Sequence, residues 1–308
     1  MNEYKISSLL ELVTDTTILY LKNYTTNQLG LLPVPIKDLL RVKALRRHSR
    51  LSSASLSSLL HDLVPSVELS LIKAVNKDHI RALETAPKIH ILKLTSLDLE
   101  NCKCVISAVP KRSGQICSKT GRSQCRECEQ ISDTLRTTLS SFQSLVRVEL
   151  SYNPTIIDDE IILTIVQASP NLQQLEVDSC TKITDNSVAH KKGVNNEEVI
   201  GLVMLTSLHS INLSGTSISD QGLMEFQKYS KSRHTLRELV LNRCDEITDS
   251  GIHAILDTFD DLEICSFAQC KNVTWVAASM LGEYFEKRKS HQATKQYNGM
   301  KQISFSIW

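Results

Sequence analysis

Leu236-Arg237-Glu238-Leu239-Val240-Leu241-Asn242-Arg243-Cys244-Asp245-Glu246-Ile247-Thr248-Asp249 is the stretch that decides how this chain is built. Its first nine residues fit the template L-x-x-L-x-L-x-x-N/C. Successive strand side chains alternate faces, so Leu239 and Leu241 point inward while Glu238, Val240 and Asn242 point outward. The apolar residue, Thr and Asp that follow mark a helix start, with the Asp or its hydroxyl neighbour as N-cap. Gly251-Ile252-His253-Ala254-Ile255-Leu256 continues it as a helix. One strand, one tight turn and one helix cannot bury their apolar side alone, and stacking copies solves this.

The copies are present. Leu145 to Asn153, Leu172 to Cys180, Leu208-x-x-Ile211-x-Leu213 and Leu262-x-x-Cys265-x-Phe267-x-x-Cys270 fit the template, and Met300-x-x-Ile303-x-Phe305 is a weaker version. Ile183-Thr184-Asp185 and Ile218-Ser219-Asp220 repeat the downstream signal. Start-to-start spacings from Leu145 to Met300 are 27, 36, 28, 26 and 38 residues. The base period is that of leucine-rich repeats. It predicts an α/β solenoid with a curved parallel sheet on the concave side and helices on the convex side.

Weaker copies, Val64-x-x-Val67-x-Leu69 and Ile89-x-x-Leu92-x-Leu94, frame a short helical stretch from His79 to Ala86. The expected division is therefore a helical N-terminal segment, 1–63, and a repeat domain, 64–308. Three expansions interrupt the period: about 101–131, around Lys191 to Asn196, and Lys287 to Asn298. Each is expected to be a mobile loop. In the N-terminal segment, apolar residues at Leu9, Leu12, Val13, Leu19 and Tyr20 predict a helix. A polar linker over 23–28, a second helix opened by Pro35, and a third from about Ser53 to Leu63 follow.

Hydrophobic residues form 41% of 308, enough for a sizeable core, and 35 Lys and Arg face 34 Asp and Glu. That balance supports neither a nucleic-acid partner nor an anionic membrane partner. There is no signal-peptide pattern and no apolar run near the ~20 residues that span a bilayer. With nine cysteines, an odd count, the expectation is a reduced cytoplasmic or nuclear setting.

Cys180, Cys244 and Cys270 hold the ninth template position and read as core. Cys102, Cys104, Cys117, Cys125 and Cys128 fall in or beside the first expansion. Cys125-Arg126-Glu127-Cys128 with Cys102-x-Cys104 has the donors for a structural zinc. Cys102 also fits the ninth position of a second register, Leu94-x-x-Leu97-x-Leu99-x-x-Cys102, so the expectation is a metal-free loop and no cofactor. Phosphate loops, nucleophile elbows and metal-spaced histidines are absent from the sequence, and His48, His61 and His253 read as solvated or capping residues. The expectation is a non-enzymatic binding protein.

The outward strand positions are the expected binding surface. Arg147, Glu149, Gln174, Glu176, Asp178, Asn212, Glu238 and Asn242 set one arginine against four carboxylates beside Ser151, Ser210, Ser214 and Val240. Such a face suits a Lys- or Arg-bearing segment of a protein substrate or signalling protein.

Ser8-Leu9-Leu10-Glu11-Leu12, Leu32-Pro33-x-x-Ile36-Lys37-Asp38-x-Leu40, the repeats with Ile-Thr/Ser-Asp, and Met300 to Trp308 together resemble the antagonist of mitotic exit network protein family. The resemblance runs nearly end to end except for the Cys-rich expansion. The repeats are similar to the cysteine-containing type of F-box leucine-rich-repeat proteins, the substrate receptors of cullin-RING ubiquitin ligases. This resemblance implies a substrate-recognition subunit of an SCF-type ligase in protein turnover and cell-cycle regulation. The alternative is a regulatory scaffold that binds a signalling protein without ubiquitin transfer. Ser8-Leu9-x-x-x-Val13 and Leu32-Pro33-Val34-Pro35 look like an elongin-binding box and a cullin box, with Val13 where the first has Cys. Leu9, Leu12, Leu32 and Pro33 are accordingly the candidate contacts for a Skp1-type adaptor or elongin C.

Overall fold

The computed structural model describes residues 9–47, 51–61, 64–69, 72, 75–86, 89, 91–93, 119–192 and 198–292. The chain divides into two units, Met1–Phe142 and Gln143–Trp308. The expected boundary at 63/64 thus falls inside the first unit, which holds the two weak upstream copies.

The first unit runs α1 (Leu9–Leu19), a 3-10 turn (Leu21–Asn23), α2 (Thr26–Gly30), α3 (Val34–Arg47), α4 (Ser53–Leu59), β1 (Ser66–Glu68) and α5 (Lys77–Ala82). A second 3-10 turn (Leu83–Thr85), β2 (Ile91–Lys93) and α6 (Lys119–Ser140) complete it. Strands β1 and β2 are parallel, with Val67 opposite Leu92. The expected polar linker carries the start of α2 instead. Thr25 and Gln28 form a reciprocal capping box, Gln28 N donating to Thr25 Oγ1 at 3.2 Å and Thr25 N to Gln28 Oε1 at 2.9 Å.

Helix α1 is turned away from its expected face. Thr14, Ile18 and the following Leu21 are buried, whereas Val13, Leu19 and Tyr20 are exposed. Lys43 on α3 fixes this rotation by donating to Thr14 Oγ1 and Asp15 Oδ1, both at 3.0 Å. Ile18, Leu40 and Leu59 form a small core against which Leu32 and Ile36 pack. His61 is not solvated: its Nε2 lies 3.1 Å from Asp38 Oδ1, and its side chain is only 9% exposed.

The first expansion is not a loop throughout, because α6 covers 119–140 and includes Cys125 and Cys128. Ile131, Leu135 and Leu139 share one buried stripe that anchors the helix. Cys102, Cys104 and Cys117 lie outside the described residues, as do Met300 to Trp308 and His48.

The second unit contains β3 (Arg147–Glu149), α7 (Asp159–Ala168), β4 (Gln174–Glu176), α8 (Asp185–Val188), β5 (His190–Lys192) and β6 (Glu198–Ile200). It continues with β7 (Ser210–Asn212), α9 (Asp220–Tyr229), β8 (Glu238–Val240), α10 (Asp249–Leu256), β9 (Ile264–Ser266) and α11 (Trp275–Gln292). Strands β3, β4, β7, β8 and β9 are parallel neighbours in that order. Their register puts Val148, Leu175, Ile211, Leu239 and Cys265 in one inward row, each at most 6% exposed. The second expansion is an antiparallel pair, β5 with β6, and the third is partly consumed by α11.

Two kinds of contact join neighbouring repeats. The hydroxyl, not the Asp, is the N-cap: Thr184, Ser219 and Thr248 accept from the backbone N–H two residues on. The Asp reaches the next repeat instead. Asp159 accepts from Thr184 N and Oγ1 at 2.7 and 2.6 Å, and Asp185 from Ser219 at 2.8 and 2.6 Å. Asp220 does the same for Thr248 at 2.8 and 2.6 Å, and Asp249 for Thr274 at 2.8 and 2.5 Å. In the other direction, the ninth-position thiols donate to carbonyls of the preceding repeat: Cys180 to Leu150 at 3.4 Å, Cys244 to Leu213 at 3.2 Å and Cys270 to Leu241 at 3.1 Å.

Candidate protein-interaction surface

The outward residues line up in rows because the strands are in register. Arg147, Gln174, Ser210, Glu238 and Ile264 form the first row, and Glu149, Glu176, Asn212, Val240 and Ser266 the second. Ser151, Asp178, Ser214 and Asn242 continue the same alternation past the strand ends. All eight residues expected on this face from the sequence lie in these rows.

The rows are bonded to one another. Arg147 Nη2 donates to Glu176 Oε1 at 2.7 Å and stands 3.9 Å from Glu149 Oε2. Ser210 Oγ donates to Glu238 Oε2 at 2.8 Å. Asn242 Oδ1 accepts from Ser266 Oγ and Ala268 N, each at 2.7 Å, and Asn212 Oδ1 from Ser214 N at 3.0 Å. Fixed side chains lose less conformational freedom when a partner docks.

Asp178 gathers three side-chain donors: Ser179 Oγ at 2.7 Å and Arg243 Nη2 at 2.6 Å on Oδ1, and Tyr152 OH at 3.3 Å on Oδ2. Tyr152, Ser179 and Arg243 all occupy the eighth template position. There the backbone is left-handed, with φ of 62°, 61° and 59°, as it is at Gly215 (61°) and Gln269 (60°). This conformation breaks the two-residue alternation, which is why sequence reasoning left Tyr152 and Arg243 off the face. With Arg243 included, two arginines face four carboxylates, and the surface is less acidic than the strand positions alone imply.

The adaptor candidates fare differently. Leu9 and Leu12 lie on α1. Leu32 is partly buried against the Ile18–Leu40–Leu59 core. Pro33 is exposed, and its carbonyl accepts from Ile36 N and Lys37 N, both at 3.0 Å, at the start of α3. The most exposed large apolar side chains nearby are Val13 (53%), Leu19 (66%), Tyr20 (54%) and Leu31 (85%), with Tyr24, Val34 and Val42 less so. They are absent from the sequence-derived set because helical spacing alone does not say which stripe meets a core.

Burial holds the core thiols protonated, raising Cys180 and Cys244 to about 11 and Cys265 to about 12. Such thiols are poor nucleophiles and poor metal ligands. Among the described residues, no helix is long and apolar enough to cross a membrane.

A leucine-rich repeat model matches residues 205–226 and 233–256. The chain is 23% identical over 158 residues to Antagonist of mitotic exit network protein 1 of Saccharomyces cerevisiae, covering 44% of this chain and 28% of that protein. The protein of the same name from Candida glabrata is 24% identical over 156 residues, covering 43% and 30%. The match thus spans less than a third of either relative. Among solved structures, the yeast Rad7 and Elc1 complex is similar with a TM-score of 0.38 and 15% identity, covering 90% of this chain and 85% of that one. Human 5T4 is similar with a TM-score of 0.37 and 15% identity, covering 68% and 66%. The chain is built on leucine-rich repeats, and over somewhat less than half of its length it is similar to the antagonist of mitotic exit network proteins.

Proposed function

We propose that the chain is a substrate-recognition subunit of a cullin-RING ubiquitin ligase acting in cell-cycle control, with the outward sheet face taking a protein partner and the N-terminal helices taking an adaptor. The observation that carries this reading is the presence of two unlike surfaces on two separate units. One is a polar, hydrogen-bonded face on the repeat strands. The other is the set of exposed apolar side chains Val13, Leu19, Tyr20 and Leu31 on and beside α1 and α2. An exposed aromatic and aliphatic group is the usual anchor of a protein interface, whereas a fixed polar face provides selectivity. The similarity to proteins named for antagonising mitotic exit supports the cell-cycle assignment.

The adaptor surface proposed here moves from Leu32 to Leu31 and Tyr20, since Leu32 already serves the core. Purified full-length chain mixed with a Skp1-type adaptor, or with elongin C, should co-elute with one of them in size-exclusion chromatography. Leu31→Asp with Tyr20→Asp should abolish co-elution while circular dichroism stays unchanged. Co-elution with neither adaptor would leave the scaffold function without ubiquitin transfer as the better account.

A further inference from the structure

Arg243 does something the other charged residues of the face do not. Its backbone follows β8, yet its guanidinium lands on Asp178, which follows β4, 65 residues earlier. Strand β7 runs between those two strands. The ion pair therefore straddles the end of β7, where Ser214 and Gly215 are small enough to let it pass.

Ser214 is 1% exposed, and its Oγ has no hydrogen-bond partner. By alternation from the inward Ile211 and Leu213, that hydroxyl belongs to the outward face, beside Asp178 and Asn242. A buried hydroxyl without a partner is a standing cost that native proteins rarely keep without a use. The Arg243 side chain is 46% exposed and that of Asp178 14%, so the cation is the part of the pair that stands open to water and to exchange. A polar group brought to the Ser214 hydroxyl would give it the bond it lacks.

We propose that Arg243 is a built-in occupant of a cation site on Asp178, and that a lysine or arginine on an extended segment of a partner protein displaces it. The segment then runs over β7, where the side chains are Ser210, Asn212 and Ser214, with the uncovered Ser214 hydroxyl bonding its main chain. Glu176 and Glu238 flank this path in the adjacent columns. Charge complementarity selects a basic segment: displacing Arg243 restores the Asp178 pair with a new cation, whereas an acidic segment would meet three carboxylates. The proposal rests on the sheet face being the docking surface.

The test uses full-length chain and short fluorescein-labelled peptides that alternate serine with lysine, glutamine or glutamate, read by fluorescence anisotropy. The lysine–serine peptide should bind and the other two should not. Arg243→Gln should tighten it roughly threefold to tenfold by removing the internal competitor. Adding Ser214→Ala should cancel most of that gain without lowering the Tm, and Ser210→Tyr should block binding, with Ser210→Arg as a second blocking variant if the tyrosine perturbs folding. Weaker or unchanged binding by Arg243→Gln would overturn the proposal and make the arginine a static brace, as would lysine–serine binding that neither Ser210 variant affects. Binding of the glutamate–serine peptide that Ser210→Tyr blocks would also overturn it, while keeping the face as a docking surface.

Discussion

Replacing Gly251 by alanine should change sign according to whether Asp220 is present. Gly251 lies in the first turn of α10, and a Cβ built on it would collide with the Asp220 carboxylate and stand 3.0 Å from Leu223 Cδ1. That carboxylate is not free to move, since it accepts from both Thr248 N and Thr248 Oγ1 at 2.8 and 2.6 Å. In the wild-type background the added methyl forces a shift in a packed contact, costing about 1–3 kcal/mol. The helix preference for alanine over glycine returns about 0.5–1 kcal/mol, leaving a net loss of about 1–2 kcal/mol. Asp220→Ala alone removes two hydrogen bonds to a carboxylate and should cost about 2–4 kcal/mol, reduced from the sum of two charged bonds because the site is partly exposed. With Asp220 already gone, the added methyl meets only the flexible end of Leu223, and Gly251→Ala should stabilise by up to about 0.5 kcal/mol. Urea unfolding of the four variants by far-ultraviolet circular dichroism gives the cycle, and the coupling should be about 2 kcal/mol. If Gly251→Ala cost the same in both backgrounds, the carboxylate would not be what excludes a side chain there. Gly222 collides in the same way with Asp185, so the reasoning would fail at both repeats.

Leu239→Ala or Leu175→Ala, both at 0% exposure in the inward row, should each cost about 2–5 kcal/mol in the same assay, and a loss below about 1 kcal/mol would contradict the register. The buried thiols predict a loss of stability at high pH: Cys180 and Cys244 ionise near 9 when exposed and at about 11 when folded. The unfolded chain therefore releases protons first, and the urea midpoint should fall as pH rises from 9 to about 11, less steeply in Cys244→Ala. Alkylation of the same thiols at pH 8 should be slow in the folded protein and fast in urea.

The strand rows were legible because alternation is a strict two-residue rule, and five copies of one template fix which residues share a face. Arg243 and Tyr152 were not, since a left-handed residue ends the alternation and sends its own side chain back over the sheet. The Asp after each Thr or Ser reads as a cap in one repeat considered alone; its role as acceptor for the following repeat depends on how far apart stacked copies sit. In the first unit, Leu19 and Tyr20 obey helical spacing yet face solvent. A polar contact, Lys43 with Thr14 and Asp15, sets the rotation of α1, and hydrophobic periodicity does not register it. Helix α6 was missed for a related reason: its stripe begins at Ile131, while its first turns are polar.

Where a repeat carries both, as those of Cys180 with Asp185 and Cys244 with Asp249 do, its carboxylate and its thiol face opposite ways along the array, and this gives the stack a polarity. An Asp at the growing end is left as an acceptor that water can serve, whereas a Thr or Ser stripped of its predecessor loses the carboxylate that receives its backbone N–H. Trimming repeats from the C-terminal side should therefore leave a better-formed remnant than trimming the same number from the N-terminal side. A repeat transplanted into this stack must bring its hydroxyl for the copy before it and its Asp for the copy after it.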